Sequence, residues 1–142
     1  MRWRNVPKPT IAGVQGYCIF GGWIVASAMD IVYAGESAMF LGSNFQFFTV
    51  PWDIHPRKAK EILYESRFID AAEALELNLV NRVVPDSELQ ASVLEYAERV
   101  ATNDPFQLRM IKMAVNQMQD TQGFQAHMNA AHLMHMVSAQ GE

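Results

Sequence analysis

A strand-like run that ends in a glycine pair constrains the fold of this chain more than any other feature. Residues 11 to 20 are rich in β-forming side chains, and two prolines just before them keep a helix from extending into the run. Gly21 and Gly22 permit a tight turn, and residues 22 to 29 are small or apolar on every side, as in a short buried helix. Because residues 30 to 34 return to strand character, the sequence predicts a strand, helix, strand unit of an α/β protein.

The length and composition narrow the class of protein. The chain has 142 residues, half of them apolar, which suits one domain or part of one with a sizeable core. A net charge of −4 without a dense Lys/Arg run argues against nucleic acid as a partner. The apolar run from Ile19 to Val32 is too short to span a membrane, and no signal peptide is apparent. The lone Cys18 lies among apolar neighbours, which predicts a buried thiol and a cytoplasmic protein.

Helix signals dominate the second half, after a loop rich in aromatic residues over 41 to 56. A helix is predicted over 57 to 66, and Asp70 with Glu73 forms a capping box in which each side chain would bond to a backbone amide of the same helix start. Residues 79 to 85 favour a strand. Further helices are expected to begin at Asp86, at Asp104 and, after Gly123, over residues 124 to 138.

Several of these segments recur together in one known family. They are Pro-Lys-Pro-Thr-Ile-Ala-Gly-Val-Gln-Gly-Tyr (7–17), the glycine pair, residues 30 to 40, Ala72-Glu73-Ala74 and Leu79-Val80-Asn81-Arg82-Val83-Val84-Pro85. In this order the series resembles the crotonase superfamily, the enoyl-CoA hydratase and isomerase family, over nearly all of residues 3 to 120. The resemblance implies the second half of a crotonase-like ββα spiral core followed by C-terminal helices. Residues 1 to 70 would form the partial core, and residues 71 to 142 the helical region that builds a homotrimer or hexamer.

The resemblance also implies a substrate and a site. The substrate would be an acyl-CoA thioester, with coenzyme A as part of it and no separate cofactor. The thioester oxygen of the family sits between two backbone amides, one of which falls on Gly21; Gly22 would shape the turn, and Phe20 and Trp23 would line the acyl pocket. Two preorganised donors in a dry pocket suit an enolate-like oxygen, each contributing on the order of 3 to 4 kcal/mol. The alternative is a glycine pair required only because the strand and helix pack closely.

The chain departs from the family where protons are transferred. Ile24 stands at the position of one catalytic glutamate of the family, and the second falls near Asn44. Neither side chain can titrate, so ordinary hydration of an enoyl thioester is not expected. Asp53 and His55 are the nearest acid or base candidates, although a helix-capping Asp53 and a solvated His55 are the alternative roles.

A metal site is not expected. His127, His132 and His135 on the last helix have no Asp, Glu or Cys at ligand spacing beside them, so they are predicted to be interface or surface residues.

Two functional hypotheses follow from these features. The family's first half, with the other oxyanion amide and most of the CoA adenine pocket, would precede residue 1, so we expect a fragment or a shortened gene product. The first hypothesis is an enzyme that stabilises the oxyanion of an acyl-CoA thioester. The second is a non-catalytic crotonase-like remnant that serves as a binding or assembly module.

Overall fold

The computed structural model describes residues 2–42 and 49–140, which form an α/β structure with two small sheets. Its strands are β1 (Ile11–Val14), β2 (Tyr17–Ile19), β3 (Ile31–Gly35), β4 (Met39–Leu41), β5 (Ile69–Asp70) and β6 (Arg82–Val84). Its α-helices are α1 (Gly21–Ser27), α2 (Val50–Asp53), α3 (Pro56–Glu65), α4 (Ala71–Glu76), α5 (Leu89–Ala101), α6 (Pro105–Thr121) and α7 (Phe124–Ser138). A 3₁₀ turn covers Asp86–Glu88.

The first four strands alternate between the two sheets. One sheet has the parallel order β1-β3-β6, and the other has the order β2-β4-β5, with β4 and β5 antiparallel. The single strand predicted over 11 to 20 is therefore wrong, because Gly16 adopts a φ of +61° and redirects the chain from one sheet to the other. The order strand, helix, strand is confirmed, with α1 following β2 and preceding β3, but β2 and β3 belong to different sheets.

The core lies between these sheets and the helices that cover them. It includes Cys18, which is buried as expected and whose pKa burial raises to about 11, so the thiol stays protonated at neutral pH. Trp23 of α1 packs edge-to-face on Phe40 of β4 with ring centroids 5.3 Å apart. The remaining buried side chains of this cluster are small or branched, among them Val14, Ala26, Val32, Ala34, Val50, Ile62, Ile69 and Val80.

The helix signals of the second half were partly right. Asp104 accepts a hydrogen bond from the amide of Gln107 at 2.8 Å and caps α6, and α7 covers the predicted residues. Asp70 likewise caps α4 by accepting from the amide of Glu73 at 2.8 Å. The reciprocal half of the capping box is wrong, because the Glu73 carboxylate forms a bidentate pair with Arg67 at 2.7 Å.

Two other expectations need correction. Asp86 caps no helix: its carboxylate accepts from the amide of Ser37, far away in sequence, at 3.1 Å. The aromatic loop predicted over 41 to 56 contains the short helix α2, which the sequence reading missed. Three of its aromatic residues, within 43 to 48, lie outside the described residues.

Residues 2 to 9, here called the N-terminal strap, contact α6 and α7 through the side chain of Arg4. Arg4 is buried, with 7 % of its surface exposed, and its guanidinium bonds at 3.0 Å to Asp120, Gln119 and the carbonyl of Asn116. The same guanidinium lies 4.3 Å from the ring centroid of Phe124. Within the described residues, no helix is long and apolar enough to cross a membrane.

Candidate functional site

The N-terminus of α1 presents backbone amides without acceptors. Phe20 precedes the helix with φ 44° and ψ −101°, an unusual conformation for a non-glycine residue, and its side chain does not cap the helix. Its own amide donates to the carbonyl of Leu41 at 3.2 Å, and its carbonyl accepts from Ile24 at 2.9 Å. Among the described residues, no acceptor is paired with the amides of Gly21 and Gly22, which are exposed.

The glycine at position 21 is not explained by its conformation or by its packing. Its φ is not in the left-handed region, and a Cβ built on it would meet no described atom within 4 Å. A Cβ on Gly22 would meet only Cys18 Sγ, at an ordinary 3.6 Å. Close packing of the strand and helix therefore does not account for the glycine pair within the described residues. The open space beside Gly21 can admit another group.

The two residues expected to line an acyl pocket differ in their surroundings. Phe20 is 42 % exposed, whereas Trp23 is buried against Phe40. Trp23 and Asp53 border a common cavity of about 160 Å³, together with Ser27, Met29 and Asp30 near the end of α1. Phe20, Gly21 and Gly22 do not border that cavity.

Asp53 ends α2 at the meeting point of two cavities. The second cavity, of about 440 Å³, extends from Asp53 and Thr49 toward the N-terminal strap, α5 and α6. Asp53 as a whole residue is exposed, but surrounding protein desolvates its carboxyl group and raises its pKa to about 6. A carboxyl group that titrates near neutral pH can transfer protons there.

Gly21 and Asp53 lie toward opposite ends of α1. The cavities at Asp53 are bordered by Ser27 and Met29, at the C-terminal end of the helix, whereas Gly21 begins it. A seven-residue helix is roughly 10 Å long, so one small reacting group cannot touch both ends.

His55 caps a helix. Its Nδ1 accepts a hydrogen bond from the amide of Arg57 at 3.2 Å at the start of α3, and its side chain is exposed. His55, and not Asp53, is therefore the helix cap, and His55 is also exposed as its alternative role predicted, whereas Asp53 borders the cavities.

Of the two positions that the sequence resemblance matches to catalytic glutamates, one lies within the described residues. Ile24 lies in α1 and is partly buried, so no carboxylate is present at that position. Asn44 lies outside the described residues. In the described ranges, no three His, Cys, Asp or Glu side chains are grouped as metal ligands.

A contact that the sequence reading missed joins α2 to α7. The indole Nε1 of Trp52 donates to His127 Nδ1 at 2.8 Å, and Trp52 also packs edge-to-face on Phe124. The partners are 75 residues apart, so neither local spacing nor periodicity could have revealed the pair.

Comparison with known families matches this chain over almost its whole length. A family model described as enoyl-CoA hydratase/isomerase matches residues 1–141. The chain belongs to the enoyl-CoA hydratase/isomerase family. The crotonase-like fold that the sequence predicts is confirmed as well, because solved structures of this family superpose closely on the chain.

Three relatives illustrate the extent of the match. A "probable" enoyl-CoA hydratase from Mycobacterium smegmatis is 44% identical with a TM-score of 0.91, covering 96% of this chain and 58% of its own. One from Mycobacterium thermoresistibile is 40% identical with a TM-score of 0.94, covering 99% and 62%. The "Putative enoyl-CoA hydratase EchA13" of Mycobacterium tuberculosis (strain ATCC 25618 / H37Rv) is 35% identical, covering 96% and 46%. The chain therefore spans about half the length of the curated relative.

Proposed function

We propose that this chain acts on an acyl-CoA thioester and that the amide of Gly21 donates a hydrogen bond to the thioester oxygen as it becomes anionic. The observation that carries the proposal is the glycine itself. Among the described residues, the amide of Gly21 has no acceptor and a side chain there would meet no neighbour, and its φ is not in the left-handed region. A glycine that the fold does not require, at a helix start in a chain of this family, supports close approach of a ligand to the backbone.

The proposed chemistry is enolate stabilisation rather than ordinary hydration. Addition of water to an enoyl thioester needs one group to take a proton and another to supply one, and Ile24 can do neither. We propose Asp53 as a proton-transfer residue for a more distant part of the acyl chain, because its pKa of about 6 suits proton transfer near neutral pH. Asp53 and Gly21 lie toward opposite ends of α1, so Asp53 is out of reach of the α-carbon beside a thioester oxygen held at Gly21. We assign His55 to capping.

The proposed assembly is a homotrimer or hexamer of a cytoplasmic protein that corresponds to the C-terminal part of the family's fold. Exposed apolar side chains on the last two helices support the assembly, because a large apolar surface is usually covered. They are Phe106, Ile111, Met113, Val115 and Met118 on α6 and Leu133, Met134 and Val137 on α7. The buried thiol of Cys18 supports a reducing compartment.

The test is a Gly21→Ala variant assayed for both activity and stability. A panel of acyl- and enoyl-CoA thioesters is screened for binding by calorimetry and for turnover by mass spectrometry. The methyl group should occupy the space beside the amide and lower turnover by about 10²-fold or more, comparable to loss of one oxyanion donor. Stability should rise by about 0.4–1 kcal/mol, since alanine is compatible with this backbone. Val25→Ala, an exposed position on the same helix, is the matched control and should leave turnover unchanged.

Unchanged turnover in Gly21→Ala would remove Gly21 from the mechanism. The second candidate function, a non-catalytic binding or assembly module, is favoured by Ile24, which cannot transfer a proton. It predicts an oligomer by light scattering that neither binds nor converts any thioester of the panel.

A further inference from the structure

The contact between Trp52 and His127 depends on the protonation state of the imidazole. The indole Nε1 can only donate a hydrogen bond, and it points to His127 Nδ1 at 2.8 Å with the two ring centroids 6.0 Å apart. The bond therefore requires an Nδ1 without a proton. A histidine protonated on both nitrogens would place one N–H against another.

Charged groups surround this contact on the packed elements. Arg4 of the N-terminal strap lies over Phe124, which packs edge-to-face on Trp52 at 5.2 Å. Asp120 of α6 is bonded to Arg4. From α2, the ionisable neighbour is Asp53, the residue after Trp52. On α7, the described residues one turn away from His127 carry no charge.

The contact holds a short element in place. α2 has only four residues, too few to be stable by itself, so its position depends on packing. Val50 anchors its first turn in the core, and Trp52 anchors it to α7. Asp53, which borders both cavities, is the last residue of the same helix. We therefore expect a change in the contact between Trp52 and α7 to alter the position of Asp53.

We propose that His127 is a pH-sensitive latch that holds α2 on α7 when its imidazole is neutral and releases Trp52, and with it the Asp53 end of α2, when the imidazole is protonated. Histidine is the side chain whose charge ordinarily changes between pH 5 and 8. Release on protonation follows from the donor and acceptor geometry alone. It does not depend on the proposed action on thioesters.

The experiment follows hydrogen exchange of the Trp52 indole N–H by NMR between pH 8 and pH 5, with Trp52→Phe used to assign the signal. His127→Phe provides the unlatched reference at each pH, which removes the intrinsic pH dependence of exchange. At pH 8 the natural chain should exchange about tenfold more slowly than His127→Phe, equivalent to one hydrogen bond of about 1.4 kcal/mol. At pH 5 the ratio should approach one.

Two further variants separate the latch from other causes. His127→Gln provides an amide oxygen that accepts at any pH, so its indole should stay protected at pH 5. His132→Gln, an exposed histidine on the same helix, should behave like the natural chain. Because Asp53 also titrates near pH 6, the measurement is repeated in an Asp53→Asn background. The proposal is overturned if protection is independent of pH, if His127→Gln loses protection like the natural chain, or if the pH dependence disappears in Asp53→Asn.

Discussion

The loss of stability expected from a side chain at Gly35 can be worked out from its distances to Asp86. A Cβ built on Gly35, at the end of β3, would lie 2.1 Å from Asp86 Oδ1 and 3.2 Å from Asp86 Cγ. The same Oδ1 accepts from the amide of Ser37 at 3.1 Å, and the Ser37 hydroxyl accepts from the amide of Gly16 at 3.2 Å. A Gly35→Ala substitution therefore pushes against a carboxylate that holds the turn between β3 and β4.

The expected cost follows from the displacement that the methyl group requires. Reaching even a tight 3.0 Å contact needs a shift of about 1 Å in Asp86, which breaks its 3.1 Å bond to Ser37. Overpacking typically costs about 1–3 kcal/mol, and loss of this exposed hydrogen bond costs about 1 kcal/mol. Because the overlap and the loss of the bond are alternative results of one displacement, Gly35→Ala should lower the free energy of unfolding by about 1–3 kcal/mol. Asp86→Ala alone should cost only about 1 kcal/mol.

The assay is a double-mutant cycle in which circular dichroism monitors urea denaturation of each variant. The m-value must be the same for all variants for their free energies of unfolding to be compared. The double variant Gly35→Ala/Asp86→Ala should be as stable as Asp86→Ala, because no carboxylate remains for the methyl group to meet. The steric argument is refuted if the double variant is no more stable than Gly35→Ala, or if Gly35→Ala unfolds within about 0.5 kcal/mol of the natural chain, the ordinary scatter for surface changes.

Three more predictions rest on other contacts. Because burial raises the pKa of Asp53 from 3.8 to about 6, the folded state binds the proton more tightly, so this group's contribution to stability falls as pH rises from about 4 to 6. Asp53→Asn should thus gain thermal stability over the natural chain above pH 6 and not at pH 3.5, and a pH-independent difference would contradict this. Arg4→Ala, which removes three partly buried hydrogen bonds and the contact with Phe124, should cost about 2–3 kcal/mol in urea denaturation. Arg2→Ala, at an exposed site, should cost less than about 0.5 kcal/mol, and equal losses would refute a special role for Arg4. Asp104→Ala should lower stability by about 1 kcal/mol through loss of the α6 cap, with Asp104→Asn retaining most of it.

Local signals in the sequence predicted most of the helices. Asp104 followed by proline set the start of α6, and Gly123, with a φ of +102°, separates α6 from α7. These features act through neighbouring backbone groups, so a short window contains the information. The break at Gly16 was missed because the β-forming residues on both sides of it look like one strand, and only the pairing partners show that they enter different sheets.

Contacts between residues far apart in sequence explain the local predictions that were wrong. Glu73 was predicted to complete a capping box. Its carboxylate instead accepts two hydrogen bonds from the guanidinium of Arg67, which form a bidentate ion pair. Aspartate commonly caps helices, yet the carboxylate of Asp86 accepts from the amide of Ser37, in the turn between β3 and β4. In each case the side chain found a partner that the local sequence window does not identify. The capping role predicted as the alternative for Asp53 was wrong for the same reason, because desolvation at Asp53 depends on elements packed around α2.

Three glycines of this chain differ in whether the described fold requires them. Gly16 is required by its left-handed φ, and Gly35 by the carboxylate of Asp86 that a side chain would displace. Gly21 meets neither condition, although it stands at the start of a helix, where alanine is ordinarily favoured over glycine by up to about 1 kcal/mol. Phe20, next to it, accepts a φ of 44° that glycine would tolerate better. Glycine is thus present where the described fold does not need it and absent where the backbone would favour it. This arrangement is understandable if the space beside Gly21 is kept open for a ligand, and Gly21→Ala measures that directly.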